Sequence, residues 1–159
     1  MGDFERAWAI VGPVEAGYVF DARDPGGETK YGISKRSYPN EDIKNLTPER
    51  AAAIAWTDFW LKASCTQLSW PLNLFVFDSA FNQGVVPAVE MLQKAAGMAD
   101  IDGRFGPDTL RAVQRAPVDL AALFLAERAL RYEATKNATL YGRGWLKRLF
   151  VVALKSQVA

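Results

Sequence analysis

The sequence predicts a mainly α-helical fold with a short irregular or β-hairpin segment after the first helix. Three observations support this prediction. Apolar residues recur at helical spacing through most of the 159 residues, and proline precedes most of these runs. Glycine, aspartate and proline concentrate between residues 18 and 34.

The first predicted helix is amphipathic and leads into the glycine-rich segment. Its apolar positions repeat at intervals of three and four, at Phe4, Ala7, Trp8, Val11 and Val14. We expect this helix to bring Glu15 to its C-terminal end, and Gly17 to permit a turn. The text D-A-R-D-P-G-G-E-T-K-Y-G-I-S then predicts a loop or small hairpin, in which polar side chains can converge.

Six further helices are predicted. Thr47 is suited to cap a helix that begins at Pro48, and Pro71 should open the helix LNLFVFDSAFNQG, which ends at Gly84. Because that helix is apolar almost all round, we expect it at the centre of the fold. The others follow Pro87, Pro107 and Pro117, and the last runs from Arg143 to Ser156. We expect the last helix to pack against the core through Leu146, Leu149, Phe150 and Leu154.

The composition restricts the chemistry. The sequence contains no histidine, and Cys65 is its single cysteine. An internal disulfide, a Cys/His zinc site and Ser-His-Asp or Cys-His catalysis are therefore excluded, and we expect Cys65 to be a buried small hydrophobic residue. Acid-base catalysis would have to use carboxylates.

Charge is unevenly distributed along the chain. Residues 1–100 have a net charge of −4 and residues 101–159 a net charge of +5. The basic half suits a polyanion, such as a cell wall or an outer membrane surface, or is an ordinary solvated face. The N-terminus lacks a basic segment before an apolar run, and Leu149–Leu154 is too short to span a bilayer, so we expect neither a secretory signal nor a transmembrane segment.

One segment of the sequence resembles the motif of a known enzyme family. It runs from Glu15 to Ile33 and reads E-A-G-Y-V-F-D-A-R-D-P-G-G-E-T-K-Y-G-I. It resembles glycoside hydrolase family 108, whose usual text is E-G-G-Y followed by D-P-x-D-P-G-G-x-T-x-x-G-I. The resemblance continues through Phe77–Gly84 and Gly144–Arg148, although Ala16 stands where the family usually has glycine. It implies a lysozyme-like fold and an endolysin that hydrolyses peptidoglycan without a cofactor or a metal ion.

The resemblance implies that Glu15 is the general acid. Cleavage of a β-1,4 link between sugars needs a neutral carboxylic acid beside the leaving oxygen and a second group that stabilises the cation or activates water. The pKa of such a glutamate must lie above the usual value of about 4.3. Burial at the C-terminal end of a helix would raise it, because the helix dipole disfavours an anion there.

The second role has several candidates. Asp24 follows Glu15 by nine positions and Thr29 by a further five, an order similar to that of phage-type lysozymes, in which an Asp and a Thr hold the attacking water. Asp24 is also the expected first residue of a D-P-G-G turn, so a purely structural role stays open, and Thr29 has the same alternative as a loop cap. Asp21 and Glu28 are weaker candidates.

Four further residues are candidates for substrate binding: Tyr18, Tyr31, Asn82 and Gln83. The amides of Asn82 and Gln83 are able to hydrogen-bond N-acetyl groups, or they simply close the helix before Gly84. Tyr31 is able to stack on a sugar face, and Tyr18 to desolvate Glu15.

The second half carries the text D-G-R-F-G-P-D-T from Asp102 to Thr109, which resembles small peptidoglycan-binding modules. Here Gly103 and Gly106 should supply turn conformations, Phe105 should fill the core beneath the loop, and Pro107 should begin a helix. Because no linker precedes this text, we expect one lysozyme-like unit over residues 1–159. It would have a catalytic half at residues 1–90 and, packed on it, a helical half at residues 91–159.

Three function hypotheses remain at this stage. The favoured one is an N-acetylmuramidase with peptidoglycan as substrate, and a lytic transglycosylase using the same Glu15 is a close variant. The second is a non-catalytic peptidoglycan-binding module, and the third, a nucleic-acid binder, has no basic stripe in the first half. For an endolysin we expect a monomer in the host bacterial cytoplasm that reaches the periplasmic cell wall through a membrane lesion made by a partner such as a holin.

Overall fold

The computed structural model describes residues 2–12, the backbone of residues 19–20, and residues 27–158. Within this part of the chain the elements are α1 (Asp3–Val11), β1 (Val19–Phe20), β2 (Glu28–Lys30), β3 (Ile33–Ser34), α2 (Pro48–Ala55), α3 (Leu72–Gln83), α4 (Val85–Ala95), α5 (Pro107–Arg115), α6 (Leu120–Glu133) and α7 (Ala138–Lys155). A π-helical segment, Trp56–Trp60, continues α2, and a short 3-10 helix, Cys65–Gln67, precedes α3. The predicted mainly α, lysozyme-like fold with a small β segment after the first helix is confirmed.

Helix α3 lies at the centre of the fold, as its almost wholly apolar sequence predicts. Every residue from Leu72 to Ala80 is buried, and the helix contacts α1, α4, α6 and α7. Gly84 ends it with a φ of 100°, a conformation that favours glycine because other residues place a Cβ against the backbone there. The predicted end of this helix is confirmed.

Aromatic rings fix α1 against α3 and the π-helical segment. The Phe4 ring meets three other rings edge-on, at centroid distances of 4.9 to 5.7 Å: Trp56, Trp60 and Phe77. Trp8 approaches Phe81 in the same way at 5.8 Å. Such edge-to-face contacts add to the burial of the rings themselves, so the N-terminal helix is held at the core.

The β segment is a three-stranded antiparallel sheet in the order β1-β2-β3. Its tight β2–β3 turn uses positive φ angles, 52° at Tyr31 and 74° at Gly32. Ile33 is buried in a second, smaller core with residues of the following loop and α2, namely Ile43, Leu46, Ala51 and Ile54. The sheet is thereby attached to the helices through one face.

Helix α2 begins as predicted. Pro48 occupies its first turn, and the Thr47 hydroxyl accepts a hydrogen bond from the backbone N–H of Arg50 at 3.2 Å. This satisfies one of the backbone N–H groups that a helix start leaves without a partner.

A buried glutamine organises the loop between α4 and α5. The Gln93 amide donates to Asp102 Oδ1 at 2.7 Å and to Arg104 O at 3.1 Å, and its oxygen accepts from the N–H of Gly103 at 2.9 Å. Gly103 has a φ of 69°, and a Cβ there would lie 2.6 Å from a Val86 methyl group. The glycine is therefore required both for its conformation and for space.

The sequence also predicts roles for three residues that follow Gly103, namely Phe105, Gly106 and Pro107. The prediction for Gly106 is wrong, because its φ of −119° is extended backbone that any residue adopts. Phe105 packs against the main core and Pro107 begins α5, as predicted.

A buried ion cluster joins α3 to α6 and α7. Asp78 is fully buried, and its Oδ2 accepts from Arg128 Nη1 at 2.5 Å while its Oδ1 accepts from Arg148 Nη2 at 2.7 Å. Arg128 Nε also donates to the Tyr132 hydroxyl at 3.0 Å. Burial alone raises the pKa of Asp78, but the charges and hydrogen bonds of the two arginines outweigh it, so that the pKa lies below its usual range.

Helix α7 differs from its prediction. It begins five residues earlier than expected, at Ala138, and its buried residues are Leu149 and Val152. Of the four residues expected to face the core, only Leu149 does so. Leu146 is 40%, Phe150 61% and Leu154 71% exposed. The cause is helical geometry, because residues 150 and 154 lie on the opposite side of the helix from residues 149 and 152. No helix of the described part of the chain is both long and apolar enough to cross a membrane.

Cys65 is fully buried, as predicted for a small hydrophobic residue. Burial raises the pKa of its thiol above the usual value, so that the thiol stays protonated and unreactive.

Candidate active site

Four of the predicted site residues, Glu15, Tyr18, Asp21 and Asp24, lie outside the described residues. Helix α1 ends at Val11 before the first of them, and strand β1 lies between Tyr18 and Asp21 in the chain.

Thr29 occupies the middle of the sheet. It pairs with Val19 of β1 and with Ser34 of β3, and it is half-buried. Directly opposed residues of antiparallel strands point to the same face, so Thr29 and Ser34 share one face. The neighbouring pair, Lys30 and Ile33, points the other way, toward the smaller core that buries Ile33. The face that carries Thr29 is thus the one turned away from this core.

A groove of about 540 Å³ lies between the β2–β3 turn, the loop that follows the sheet, the π-helical segment and the α3–α4 junction. The residues that line it come from these four parts of the chain: Gly32, Ser37, Tyr38, Asp58, Phe59, Lys62, Phe81, Gly84 and Val85. The hydroxyls of Ser37 and Ser34 are 3.0 Å apart, and this contact connects the groove to the sheet face that carries Thr29. Tyr38, Phe59 and Phe81 of the groove also pack against the smaller core, so the groove adjoins the sheet at the β2–β3 turn, where Gly32 lines it.

The polar side of the groove is formed by Tyr38, Asp58 and Lys62. The Tyr38 hydroxyl donates to Asp58 Oδ2 at 3.0 Å, and Lys62 Nζ lies 2.6 Å from Asp58 Oδ1. The hydrogen bond from Lys62, supported by that from Tyr38, holds the pKa of Asp58 below its usual range. Burial and the Asp58 carboxylate raise the pKa of Tyr38, which stays protonated. The groove thus presents the Asp58 carboxylate, the Tyr38 phenol and the Lys62 side chain to a ligand.

This polar cluster suits binding better than proton donation. An ionised Asp58 has no proton to give, whereas its oxygens and the neighbouring groups are able to accept and donate hydrogen bonds. Phe59 and Phe81, in edge-to-face contact at 4.9 Å, supply an apolar wall. A wall of this kind beside hydrogen-bonding groups is typical of sites for sugars and other polar ligands with apolar faces.

The remaining sequence-predicted residues surround this region without lining the groove. Tyr31 is half-buried at the β2–β3 turn, where Lys30 Nζ lies 5.5 Å from its ring centre. Glu28 pairs with Phe20 at the start of β2. Asn82 is exposed, and its Oδ1 accepts from the Tyr132 hydroxyl at 3.1 Å. Gln83 is half-buried. Their roles in substrate binding stay predictions.

Sequence reasoning did not single out Tyr38, Asp58 or Lys62. The i, i+4 spacing of Asp58 and Lys62 indicates only an ion pair on one helical face, which is common on solvated helices. Tyr38 is 20 residues away from Asp58 in sequence, so their contact depends on the packing of the loop against the π-helical segment.

The comparisons with known proteins agree with this organisation. Residues 8–84 match the family model of glycosyl hydrolase 108, and residues 87–150 match that of a predicted peptidoglycan domain, which confirms the resemblance drawn from the sequence. The solved structure of SagA from Brucella abortus is similar to the chain with a TM-score of 0.86 and 29% identity, over 98% of this chain and 94% of that one. No curated protein matches the chain at a significant level. Together the two family matches and the structural likeness support a peptidoglycan-hydrolase role.

The buried ion cluster spans the two matched segments. Asp78 belongs to the first segment, whereas Arg128 and Arg148 belong to the second. Helices α3 and α4, which end the first segment and begin the second, are also in extensive contact. The division into halves at residue 90 stays a prediction.

Proposed function

Because the chain combines a glycosyl hydrolase 108 segment with a predicted peptidoglycan domain, we propose that it is an N-acetylmuramidase. It would hydrolyse the β-1,4 bond between N-acetylmuramic acid and N-acetylglucosamine in bacterial peptidoglycan. The observation that carries this proposal is the match over residues 8–84, which includes Glu15, Asp24 and Thr29. The groove at the β2–β3 turn supports it, since the groove offers room and polar groups for a glycan.

In the proposed reaction Glu15 protonates the glycosidic oxygen as the bond to the sugar breaks. Asp24 stabilises the positive charge on the ring or activates the attacking water, and Thr29 places that water. The half-buried position of Thr29 at the centre of a small sheet supports this role, because a paired strand holds a side chain more rigidly than a loop does.

Substrate contacts are proposed on both sides of the reacting bond. Tyr18 and Tyr31 would contact sugar rings on the sheet side, and Asn82 and Gln83 would reach the glycan from the end of α3. The Tyr38 hydroxyl and the charged pair of Asp58 and Lys62 would bind sugar hydroxyls, N-acetyl groups or the stem peptide along the groove.

The decisive experiment is digestion of purified peptidoglycan by the wild type and by Glu15→Gln, with mass spectrometry of the fragments. We expect the wild type to release fragments that end in reducing N-acetylmuramic acid. The variant should be slower by about 10²-fold to 10⁴-fold, which is the usual contribution of a general acid. Glu49→Gln, at an exposed position in the first turn of α2, is the matched control and should keep wild-type activity.

Other results would replace the proposal. Anhydro-muramic ends, which are lighter by one water, would identify a lytic transglycosylase that uses the same glutamate. Equal rates for the wild type and Glu15→Gln would remove Glu15 from the mechanism. Binding of peptidoglycan without any cleavage would indicate the non-catalytic module.

We further propose that the enzyme acts as a monomeric endolysin and gains access to the periplasmic cell wall through a membrane lesion, such as one made by a holin. This rests on the sequence resemblance to endolysins. Expression of the protein in a bacterium without any lesion-forming partner should leave the cells intact until the membrane is permeabilised. Efficient export by the general secretory machinery alone would contradict this proposal.

A further inference from the structure

Helix α7 has two unlike faces. One face carries Leu149, Val152 and, just beyond the helix, Ser156, which are buried against the rest of the protein. The opposite face points to solvent at intervals of three and four residues, at Leu140, Arg143, Lys147, Phe150 and Leu154, and the exposed Val158, three residues beyond the end of the helix, continues this spacing. We call this second set the outer face. A solvated helix face is normally polar, so the four large apolar residues in this set require an explanation.

Exposed apolar side chains concentrate in this part of the molecule. The described residues include eleven exposed large hydrophobic side chains, and eight of them lie on α6, on α7 or just after α7. Leu140, Phe150, Leu154 and Val158 are 75%, 61%, 71% and 86% exposed. Scattered single residues of this kind are common, whereas a contiguous group marks an interaction surface.

An apolar groove adjoins the outer face. It has a volume of about 1030 Å³ between α6 and α7, and its lining includes the small residues Ala126, Ala129 and Gly142 and the larger Leu130, Leu146 and Phe150. Phe150 belongs to both the groove and the outer face. The two therefore form one continuous, predominantly apolar surface.

The charged side chains that α7 contributes to this surface are all positive. The sequence from Ala138 to the end of the chain contains no acidic residue and four basic ones, Arg143, Lys147, Arg148 and Lys155. Arg148 is directed to the buried Asp78, and the other three are exposed. Across the groove, Glu133 lies on its α6 side. The outer face itself thus combines large apolar side chains with positive charge.

This combination selects among the possible occupants. A second copy of the chain that used the same face would bring two positive helices together, and their repulsion would oppose a dimer. A glycan is able to stack on a single ring such as that of Phe150, but it would leave the exposed leucine side chains without an apolar partner. A bilayer with anionic lipids satisfies both components, because apolar side chains enter the boundary between headgroups and acyl chains while lysine and arginine remain at the headgroups.

We propose that the outer face of α7, together with the adjoining groove, binds the surface of an anionic lipid bilayer. The helix lies parallel to the membrane plane, with Phe150 and Leu154 inserted and Arg143 and Lys147 at the lipid phosphates. This activity is separate from peptidoglycan hydrolysis and does not depend on it.

Vesicle sedimentation tests the proposal. The full chain is mixed with vesicles of phosphatidylcholine alone or of phosphatidylcholine with phosphatidylglycerol. We expect at least roughly tenfold stronger binding to the anionic vesicles, weakened by added salt. The double variant Phe150→Ser/Leu154→Ser should lose roughly tenfold or more of this binding, and Lys147→Gln about fivefold, the effect of one basic residue near such a surface.

The matched control is Val118→Ser, which removes a fully exposed apolar side chain that lies outside α7 and the groove. It should bind vesicles like the wild type. Circular dichroism melting should show that all variants remain folded, since the replaced side chains are exposed. If the wild type hydrolyses lipid-free peptidoglycan, the double variant should do so at the same rate. The assay therefore distinguishes a failure of the proposed enzyme function from a failure of membrane binding.

Three outcomes would overturn the proposal: no binding to either kind of vesicle, equal binding to both, or full binding by the double variant. Sedimentation equilibrium provides a further test. A dimer that the double variant dissolves would assign the surface to a second copy of the chain instead.

Discussion

Two clusters in this protein use the same kinds of side chain in different surroundings. Each combines an aspartate and a tyrosine with one or two basic residues, and in each the aspartate accepts hydrogen bonds from the basic side chains. The Asp78 side chain is completely buried, whereas that of Asp58 is 31% exposed. The comparison distinguishes a charged cluster that stabilises the fold from one whose polar groups are available to bind a ligand.

In the buried cluster, the charged side chains depend on one another, because Asp78 and Arg128 are fully buried. Arg128 is as buried as Asp78, and both were removed from water at a high cost in free energy. That cost is offset only while the carboxylate and both guanidinium groups remain together. The cluster therefore fixes the relative positions of α3, α6 and α7, and it has no exposed group with which to bind a ligand.

In the groove cluster, water is able to replace each partner. Asp58 is hydrogen-bonded to Tyr38 and Lys62, but all three side chains line an open groove. Exposed or half-exposed pairs of this kind contribute little to stability. Their polar groups are available to exchange water for a ligand.

The largest effect should come from Asp78→Asn. The replacement has nearly the same shape but no charge, and it leaves Arg128 buried without a counterion. We expect a loss of about 3–5 kcal/mol in the free energy of unfolding, measured by urea denaturation at pH 7. A loss below about 1 kcal/mol would show that Arg128 reaches water and would end the contrast with the groove.

Acid should weaken the protein through the same residue. The pKa of Asp78 in the folded state lies below its usual value of about 3.9, so the carboxylate contributes stability above about pH 4. That contribution is lost as the pH falls through the folded-state pKa. Asp78→Asn lacks it at every pH.

Urea denaturation of both proteins from pH 7 to acid checks this expectation. The stability difference between the wild type and Asp78→Asn should be constant near neutrality and shrink as the pH falls below about 4. Other carboxylates titrate in both proteins alike, so the difference isolates Asp78. A difference that does not change with pH would contradict the assigned pKa direction.

The sequence predicted the elements of this comparison but not their contacts. The continuous apolar sequence around Asp78 predicted that α3 lies at the centre of the fold. Thr47, Pro107 and Gly84 predicted where helices begin or end, through local rules of capping and backbone conformation. These signals are local, so they are readable without a structure.

The hydrogen-bond and ion-pair partners of Asp78 and Asp58 could not be predicted from such local signals. Arg128 is 50 residues and Arg148 is 70 residues from Asp78 in the chain, and only helix packing brings them together. The expectation for α7 failed for a related reason: periodicity showed an apolar helix but not which side faces the core. For the candidate site, the family motif supplied Glu15, Asp24 and Thr29, whereas the groove residues emerged from the packing of the loop on the π-helical segment.

Substitutions in the groove should have the smallest effect on the free energy of unfolding but a measurable effect on catalysis. Tyr38→Phe and Asp58→Asn should each change the free energy of unfolding by less than about 1 kcal/mol, because their contacts are partly solvated. If the groove binds the glycan, each removes one hydrogen-bonding group and should lower kcat/KM on purified peptidoglycan about threefold to tenfold. Most of the change should appear in KM, since these groups would bind substrate and product alike.

Asp108→Asn is the control that completes the series. Asp108 also forms an ion pair, with Arg111 on α5, but its side chain is 79% exposed and lies outside the groove. It should change the free energy of unfolding by less than about 1 kcal/mol, because Asp108 lies in the first turn of α5, and it should leave kcat/KM unchanged. If Asp58→Asn behaves like this control in both measurements, the groove pair is an ordinary surface ion pair and the glycan does not contact it. If Asp58→Asn instead destabilises the protein as much as Asp78→Asn does, the groove cluster stabilises the fold. A loss of that size arises only when a buried charge loses its partner.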